Sequence, residues 1–201
     1  MNEHTILDYL KEKNNEDEVI SLLKDQKKIL VNPKNIMLAL NYDYFSLIIK
    51  LIRKSKGEIK YNAIILISNI GFCMDAKNFH DMYKIATENS DDKDGNIRYA
   101  CFILIKSLDS LMKVLPIINS IKKTSNKDIN LYYESFRDLF YGLCDLLENK
   151  KGDDIKKSAL RSLGLITPKI YDMAKFWKDE KEEGMVREIM LQITRMKQNE
   201  S

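Results

Sequence analysis

Residues 57–70 read GEIKYNAIILISNI, and residues 95–108 read GNIRYACFILIKSL. Both segments begin with Gly and continue with Ile, a cation and Tyr at the same offsets. Two further segments share part of this pattern, DDIKKSALRSL from Asp153 and GMVREIMLQI from Gly184. All four carry apolar residues at helical spacing, so the sequence predicts four related amphipathic helices.

Aligning the four segments on their cations gives two further columns. A β-branched residue precedes each cation, and a bulky apolar residue follows it by four positions. The cations are Lys60, Arg98, Lys156 and Arg187. The starts of the segments are 38, 58 and 31 residues apart. Because the middle spacing is too long for one repeat, residues 134–147 (ESFRDLFYGLCDLL) are a candidate for a further copy, and the register over residues 130–160 stays open.

The composition is typical of a helical protein with a well-solvated surface. Of the 201 residues, 44% are hydrophobic and 31% are charged, while three are Pro and seven are Gly, which disfavours an all-β fold rich in tight turns. Apolar runs such as residues 63–67 and 99–105 are far shorter than the ~20 residues that span a bilayer. The first residues, MNEHTILDYLKEK, show no basic region followed by an apolar run, so we expect no secretory signal. We therefore expect a cytoplasmic protein without a membrane partner.

Helical periodicity and capping residues predict the remaining elements. We expect helices near residues 6–10, 19–29, 33–40 and 44–52, and a long helix over residues 129–147. Asp75 and Asp109 are expected to begin helices, the second of which Pro116 kinks or breaks. The last two helices are expected at about 168–178 and 184–197. We expect a single domain over residues 1–201, with irregular helices or a cap over 1–40 and repeat-like helix pairs over 41–198.

Residues 91–108, DDKDGNIRYACFILIKSL, resemble the second helix of a HEAT or armadillo repeat, as does DDIKKSALRSLGLI from Asp153. In those families an acidic loop, a Val-Arg pair and an Ala-rich apolar stretch occur in this order. The resemblance implies an all-α fold, a right-handed α-α superhelix of about five helix pairs. It also implies a structural ladder in which the cations bond to acidic loops or to helix C-terminal carbonyls. Its members would be Lys60, Arg98, Lys156, Arg187 and, as loop acid, Asp92.

Residues one and five positions after each cation share a helix face with it. In the first two helices this face carries Tyr61, Ile65, Tyr99 and Ile103, and in the third it carries Lys157 and Arg161. One interpretation is a concave groove for a partner helix or peptide, with the two cations as a rim that recognises acidic groups. In the other interpretation, this face is covered, either by the N-terminal helices or by a second copy of the chain. Cover by a second copy would make a homodimer.

We find no combination of residues that indicates catalysis. Cys73, Cys101 and Cys144 are odd in number and form no CxxC pair, so we interpret them as reduced, buried thiols. The acidic loop at residues 91–94 lacks calcium-loop spacing, and we interpret His80 and Trp177 as packing residues. We therefore expect no metal, no cofactor and no enzymatic activity.

The leading hypothesis is a non-enzymatic scaffold that binds a protein or peptide of unknown identity on its concave face. The alternative is a nucleic-acid-binding protein that resembles alkylpurine DNA glycosylases, which use a cationic groove with aromatic residues and a catalytic acid. A net charge of +3 and a single Trp favour the scaffold over a nucleic-acid partner.

Overall fold

The computed structural model describes residues 9, 15–30, 42–70, 76–122, 126–149, 152–176 and 180–199. This part of the chain contains eight helices and no strand. The helices are α1 (Glu16–Leu30), α2 (Tyr42–Lys54), α3 (Gly57–Ile70), α4 (Ala76–Asn89), α5 (Gly95–Lys122), α6 (Asn126–Glu148), α7 (Asp153–Phe176) and α8 (Glu180–Asn199). Three predictions lie outside the described residues. They are the helix near residues 6–10 (apart from Tyr9), the helix near residues 33–40, and the helix cap at Asp75.

The helices pack as a stack of pairs. α2 packs against α3, α4 against α5 and α6 against α7. α1, α3, α5 and α7 also pack side by side, in that order, as a second-helix layer. α4 packs against α6 in a first-helix layer, where α2 makes a smaller contact with α4. An array in which each unit contacts its neighbours along the stack is an α solenoid, which confirms the predicted HEAT/armadillo-like fold.

α3 has the most completely buried surface in the second-helix layer. Every residue from 62 to 68 is buried, because α1 and α5 flank the helix in its own layer while α2 packs against it from the other. Burial of a side chain such as Ile64 or Leu66, both fully buried, stabilises the fold by ~1.5–3 kcal/mol. Burial of this kind, repeated from unit to unit, supplies most of the stability, because exposed ion pairs contribute only ~0–1 kcal/mol each.

Gly57 allows the short connection between α2 and α3. Only Ser55 and Lys56 separate the two helices, and Gly57 has a φ of 52°. This left-handed conformation is accessible to Gly at little cost. The Ser55 N–H donates to the Leu51 carbonyl at 2.9 Å and so extends the bonding of α2 past its last residue.

Two predicted helix boundaries are wrong. α5 continues through Asp109 and Pro116 to Lys122, because the buried stripe that includes Leu104 and Leu108 persists up to Asp109, which is itself buried. α7 likewise contains Pro168 within the helix. Pro168 is exposed, so water can reach the carbonyl that its missing N–H leaves unpaired.

The long spacing between the second and third repeat segments comes from long helices. α5 has 28 residues and α6 has 23, so one repeat fills the whole interval. α6 packs against α4 and α7, which makes residues 134–147 part of a first helix and excludes the further copy proposed there. With helices of this length, the described residues hold three complete pairs, preceded by α1 and followed by α8, where about five pairs were expected.

The fourth repeat segment occupies a different position from the other three. α8 begins at Glu180, four residues before the predicted start, and packs against α7. Only residues 177–179 separate the two helices, too few for an intervening partner helix, so α8 is not the second helix of a further pair. Trp177, in this connection, lies outside the described residues.

Candidate functional site

Two side-chain contacts join neighbouring helices of the second-helix layer. The Ser107 hydroxyl of α5 donates to the Ser68 carbonyl of α3, and the Arg161 guanidinium of α7 lies 5.6 Å from the ring centroid of Phe102 of α5. The cation alignment pairs Ser68 with Lys106 and Phe102 with Leu160. In both contacts the residue of the later helix is therefore one position beyond its aligned partner.

The α3 end of the predicted groove is closed. Ile65 is only 5% exposed, and Tyr61 is half-buried and packs against the core. The prediction that Ile65 lines an open groove is therefore wrong. The physical reason is that α3 lies between three helices, α1, α2 and α5, so the chain itself covers this face.

An open face follows on α5 and α7. Tyr99 is 49% exposed, Phe102 and Ile103 are half-buried, and Lys106 is exposed. These positions form one stripe along α5, since residues three and four apart are neighbours on a helix. Lys157 and Arg161 are exposed on α7. We call the face formed by Tyr99, Phe102, Ile103, Lys106, Lys157 and Arg161 the α5–α7 surface.

Phe102 is a member of this surface that the sequence analysis did not name as a site residue. It belongs to the column of bulky apolar residues four positions after each cation, and it is half-buried with its ring near the Arg161 guanidinium. The signal for its position is its spacing of three residues from Tyr99. A guanidinium over an aromatic face is attracted by the ring quadrupole, by ~0.5–1 kcal/mol at an exposed site, so Phe102 helps to hold Arg161 in place.

The ladder residues make different contacts in different units. Lys60 Nζ donates to Asn89 Oδ1 at 3.0 Å and lies 3.8 Å from Asp92 Oδ2, so α3 contacts the loop that precedes α5. Arg98 Nη1 donates to the carbonyls of Asp92 and Lys93 at 2.8 and 3.1 Å. Asp92 Oδ1 also accepts the Asp94 N–H at 2.9 Å. The acidic loop is thus ordered by both neighbouring second helices.

The remaining two ladder residues do not reach an acidic loop in the part of the chain that the structure describes. Arg187 Nη2 donates to Tyr171 Oη at 3.0 Å and to Glu183 Oε1 at 3.1 Å, which links α8 to α7. Lys156 forms no side-chain hydrogen bond or ion pair within the described ranges. Arg187 makes these contacts because α8 follows α7 directly, with no intervening loop and helix to contact.

A polar cluster joins the two first helices α4 and α6. His80 Nδ1 lies 3.0 Å from Ser135 Oγ, and that hydroxyl donates to the Leu131 carbonyl at 2.7 Å. Tyr83 Oη donates to Asp138 Oδ2 at 3.2 Å. Burial, and then the charge of Asp138, raise the pKa of Tyr83 to about 12. Because the buried Ser135 hydroxyl donates its hydrogen bond to a backbone carbonyl, His80 does not activate it as a nucleophile. The His80–Ser135 contact is therefore a packing contact.

Chemical groups that could support catalysis or metal binding are scarce. Within the ranges given above, no three His, Cys, Asp or Glu residues form a group that could hold a metal ion. No helix in the described part of the chain has the length and apolar character needed to cross a bilayer. Burial raises the pKa of the Cys101 and Cys144 thiols to about 12, so both are poor nucleophiles at neutral pH. Cys73 lies outside the described residues.

Comparisons with known proteins bear on the fold. No protein-family model and no curated protein matches the sequence. Among solved structures, the chain is similar to an engineered protein, with a TM-score of 0.55 and 14% identity; the match covers 83% of this chain and 63% of that one. It also matches a designed armadillo repeat protein in complex with the peptide (KR)4, with a TM-score of 0.43 and 14% identity over 82% of this chain and 81% of the other. This chain thus spans less than two thirds of the engineered protein, and the first likeness shows a shared helical fold.

Proposed function

We propose that this protein is a non-enzymatic scaffold that binds a protein or peptide partner on the α5–α7 surface, on the concave side of the solenoid. The observation that carries the proposal is the 49% exposure of Tyr99 on a helix whose neighbouring residues Ala100, Cys101 and Leu104 are buried. Tyr is enriched among residues that dominate binding energy at protein interfaces, because it combines a large apolar area with a polar group. A Tyr held at this position by a packed helix is suited to be an anchor residue.

The surface lies on a closely packed helix, and close packing lowers the entropic cost of binding. α5 packs against α3, α4 and α7, and its Leu104 and Ile105 are fully buried. The backbone beneath Tyr99 is therefore ordered before a partner arrives. A pre-organised surface loses little conformational freedom on association, so more of its contact energy appears as affinity.

We include a cytoplasmic location in the proposal. Cys101 and Cys144 are free thiols, and reduced cysteines are typical of proteins from reducing compartments.

Site-specific photo-crosslinking tests the scaffold proposal. The codon for Tyr99 is replaced to insert p-benzoylphenylalanine, an aromatic residue of similar shape, and cells that express the variant are irradiated. We expect a covalent adduct with one partner protein, and we expect it to disappear when Arg161→Glu is added. The control inserts the same group at Met185, which is also exposed but lies on α8. The proposal fails if positions 99 and 185 give the same adducts, or if position 99 gives none.

A further inference from the structure

We infer that the partner presents an acidic peptide segment whose carboxylates bind Arg161, Lys157 and Lys106, while an adjacent apolar side chain packs beside Tyr99. This inference deepens the proposed function and rests on it. It concerns the charge and spacing of the partner's residues, which the scaffold proposal leaves open.

The first argument is the charge of the α5–α7 surface. Lys106, Lys157 and Arg161 are all exposed, and within the described ranges none of them forms an ion pair. Interfaces are arranged so that a cationic patch meets an anionic one, so three exposed cations on the face that carries Tyr99 favour a partner of opposite charge.

The second argument is the position of Arg161. Its guanidinium carbon lies 5.6 Å from the centroid of the Phe102 ring, and a contact with a ring face uses none of the guanidinium N–H groups. Within the described residues these N–H groups form no hydrogen bond, so they are available to donate. A carboxylate is the protein group whose two oxygens match the guanidinium edge, and the resulting bidentate pair is stronger than a pair of neutral hydrogen bonds. Phe102 thus prepares Arg161 for an acid before one is bound.

The third argument is spacing. Lys157 and Arg161 are four residues apart on α7, which places them on the same helix face, about 5–6 Å apart at Cβ. Lys106 is seven residues after Tyr99 on α5, about 10 Å along the helix. In an extended peptide, side chains two residues apart lie on one face and are separated by ~7 Å. The surface therefore suits an extended segment with acidic residues at alternate positions.

Nucleic acid is a poorer fit to the same cations. The α3 end of the layer presents Glu58 and the half-buried Tyr61 rather than further cations, so the positive charge covers only α5 and α7. Neutralising about three phosphates gives weak binding at physiological salt. The apolar area of Tyr99 that binding would bury contributes more to a complex with a peptide side chain than to one with a charged duplex backbone.

The test is selection of peptides from an unbiased random library displayed on phage, with the folded full chain as bait. Selected peptides are then labelled and titrated by fluorescence anisotropy at low and high salt. We expect enrichment of Asp and Glu at alternate positions and affinity that falls as salt rises. We expect Arg161→Glu to weaken binding by about tenfold or more, as truncation or reversal at an interface centre does.

Matched variants separate the surface from overall charge and folding. Lys181→Glu makes the same charge change at an exposed site on α8 and should leave affinity unchanged. Phe102→Leu keeps the Arg161 charge but removes the ring. It should weaken the binding of acidic peptides less than Arg161→Glu does. Circular dichroism shows whether each variant is folded.

The outcomes distinguish the two levels of the proposal. Selected peptides that depend on Tyr99 but carry no acidic residues would overturn the acidic-segment inference and leave the scaffold in place. Peptides that bind Tyr99→Ala and Arg161→Glu as well as the unaltered protein would overturn both. Tight, salt-sensitive binding of duplex DNA that the same two substitutions abolish would also overturn both and would favour a nucleic-acid partner.

Discussion

Lys60 Nζ donates a hydrogen bond of 3.0 Å to Asn89 Oδ1 and so ties α3 to the last residue of α4. The two helices belong to neighbouring pairs, and their direct packing is otherwise slight. The Asn89 amide in turn donates to the Ile85 carbonyl at 2.8 Å, which holds the acceptor in place. Asp92 lies farther from the ammonium group, at 3.8 Å. Asn89 is therefore the primary partner of Lys60, and the loop acid is secondary.

Replacing Lys60 by Met should lower the free energy of unfolding by ~1–2 kcal/mol, because it removes a partly buried, charge-assisted hydrogen bond and leaves Asn89 Oδ1 without this donor. Urea denaturation measures the change. Double-mutant cycles should give a larger coupling energy for Lys60 with Asn89 than with Asp92, given the shorter distance. Arg53→Met is the control: its contact with Glu88 is long and half-exposed, so the cost should stay below ~0.5 kcal/mol. Equal losses for Lys60→Met and Arg53→Met would contradict this account.

The Phe79–Phe136 stack should be a major stabilising contact of the first-helix layer. The ring centroids are 5.6 Å apart, and both rings are buried. We expect Phe136→Ala to lower the unfolding free energy by ~3–5 kcal/mol, through lost burial and a cavity. Tyr99→Ala, at an exposed site, should cost less than ~0.5 kcal/mol. Thermal and urea unfolding check both values; a large loss for Tyr99→Ala would mean that this residue supports the fold and is not a free anchor.

Gly142 should be a site where added helix propensity does not stabilise the protein. A Cβ at this position would lie 3.3 Å from Thr87 Cγ2, and Thr87 Oγ1 is fixed by its bond to the Tyr83 carbonyl at 3.0 Å. Gly142→Ala should therefore lower the melting temperature, although Ala is favoured over Gly in helices by ~1 kcal/mol. Adding Thr87→Ser, which removes the methyl group, should reverse the sign. Gly184→Ala, where a Cβ meets nothing within 4 Å, should stabilise outright.

Stability should fall as the solution becomes alkaline. Burial raises the pKa of Tyr83 from 10.0 and of Cys101 from 9.0, each to about 12. The unfolded chain therefore loses these protons at a lower pH than the folded chain, so the unfolding free energy decreases from about pH 9 up to about pH 12. Urea midpoints measured between pH 8 and 10.5 should decline, and Tyr83→Phe should make the decline shallower. An unchanged slope in that variant would exclude Tyr83 as a source.

Much of the second-helix layer could be predicted from the sequence because its segments obey one rule. Gly57, Gly95 and Asp153 begin helices that pack side by side, and the shared columns follow from that common environment. The Gly184 segment has the same pattern of residue types but occupies a different position in the fold. The pattern of a β-branched residue followed by a cation does not specify which helix comes before it. The full lengths of α5 and α7 were missed because Asp109 and Pro168 were interpreted as helix starts, whereas tertiary packing overrides local preference here.

The candidate site was predicted in part. The face containing Tyr99, Lys157 and Arg161 could be found by counting from the cation column, since that count gives the helix face directly. The burial of Ile65 was one of two interpretations, because a helix that is apolar on all faces is typical of a buried position. The sequence did not decide between them, since the outcome depends on α1 and α2 packing against α3. Phe102 was missed for the related reason that an aromatic residue at a core-like spacing can equally serve as a platform for a cation.

The one-residue offset shared by the Ser68–Ser107 and Phe102–Arg161 contacts has a geometric consequence. If it reflects one repeated step, a single screw operation carries α3 onto α5 and α5 onto α7. The curvature of the solenoid is then set joint by joint, so a substitution at one joint should change the angle there and leave the angles at the other joints unchanged.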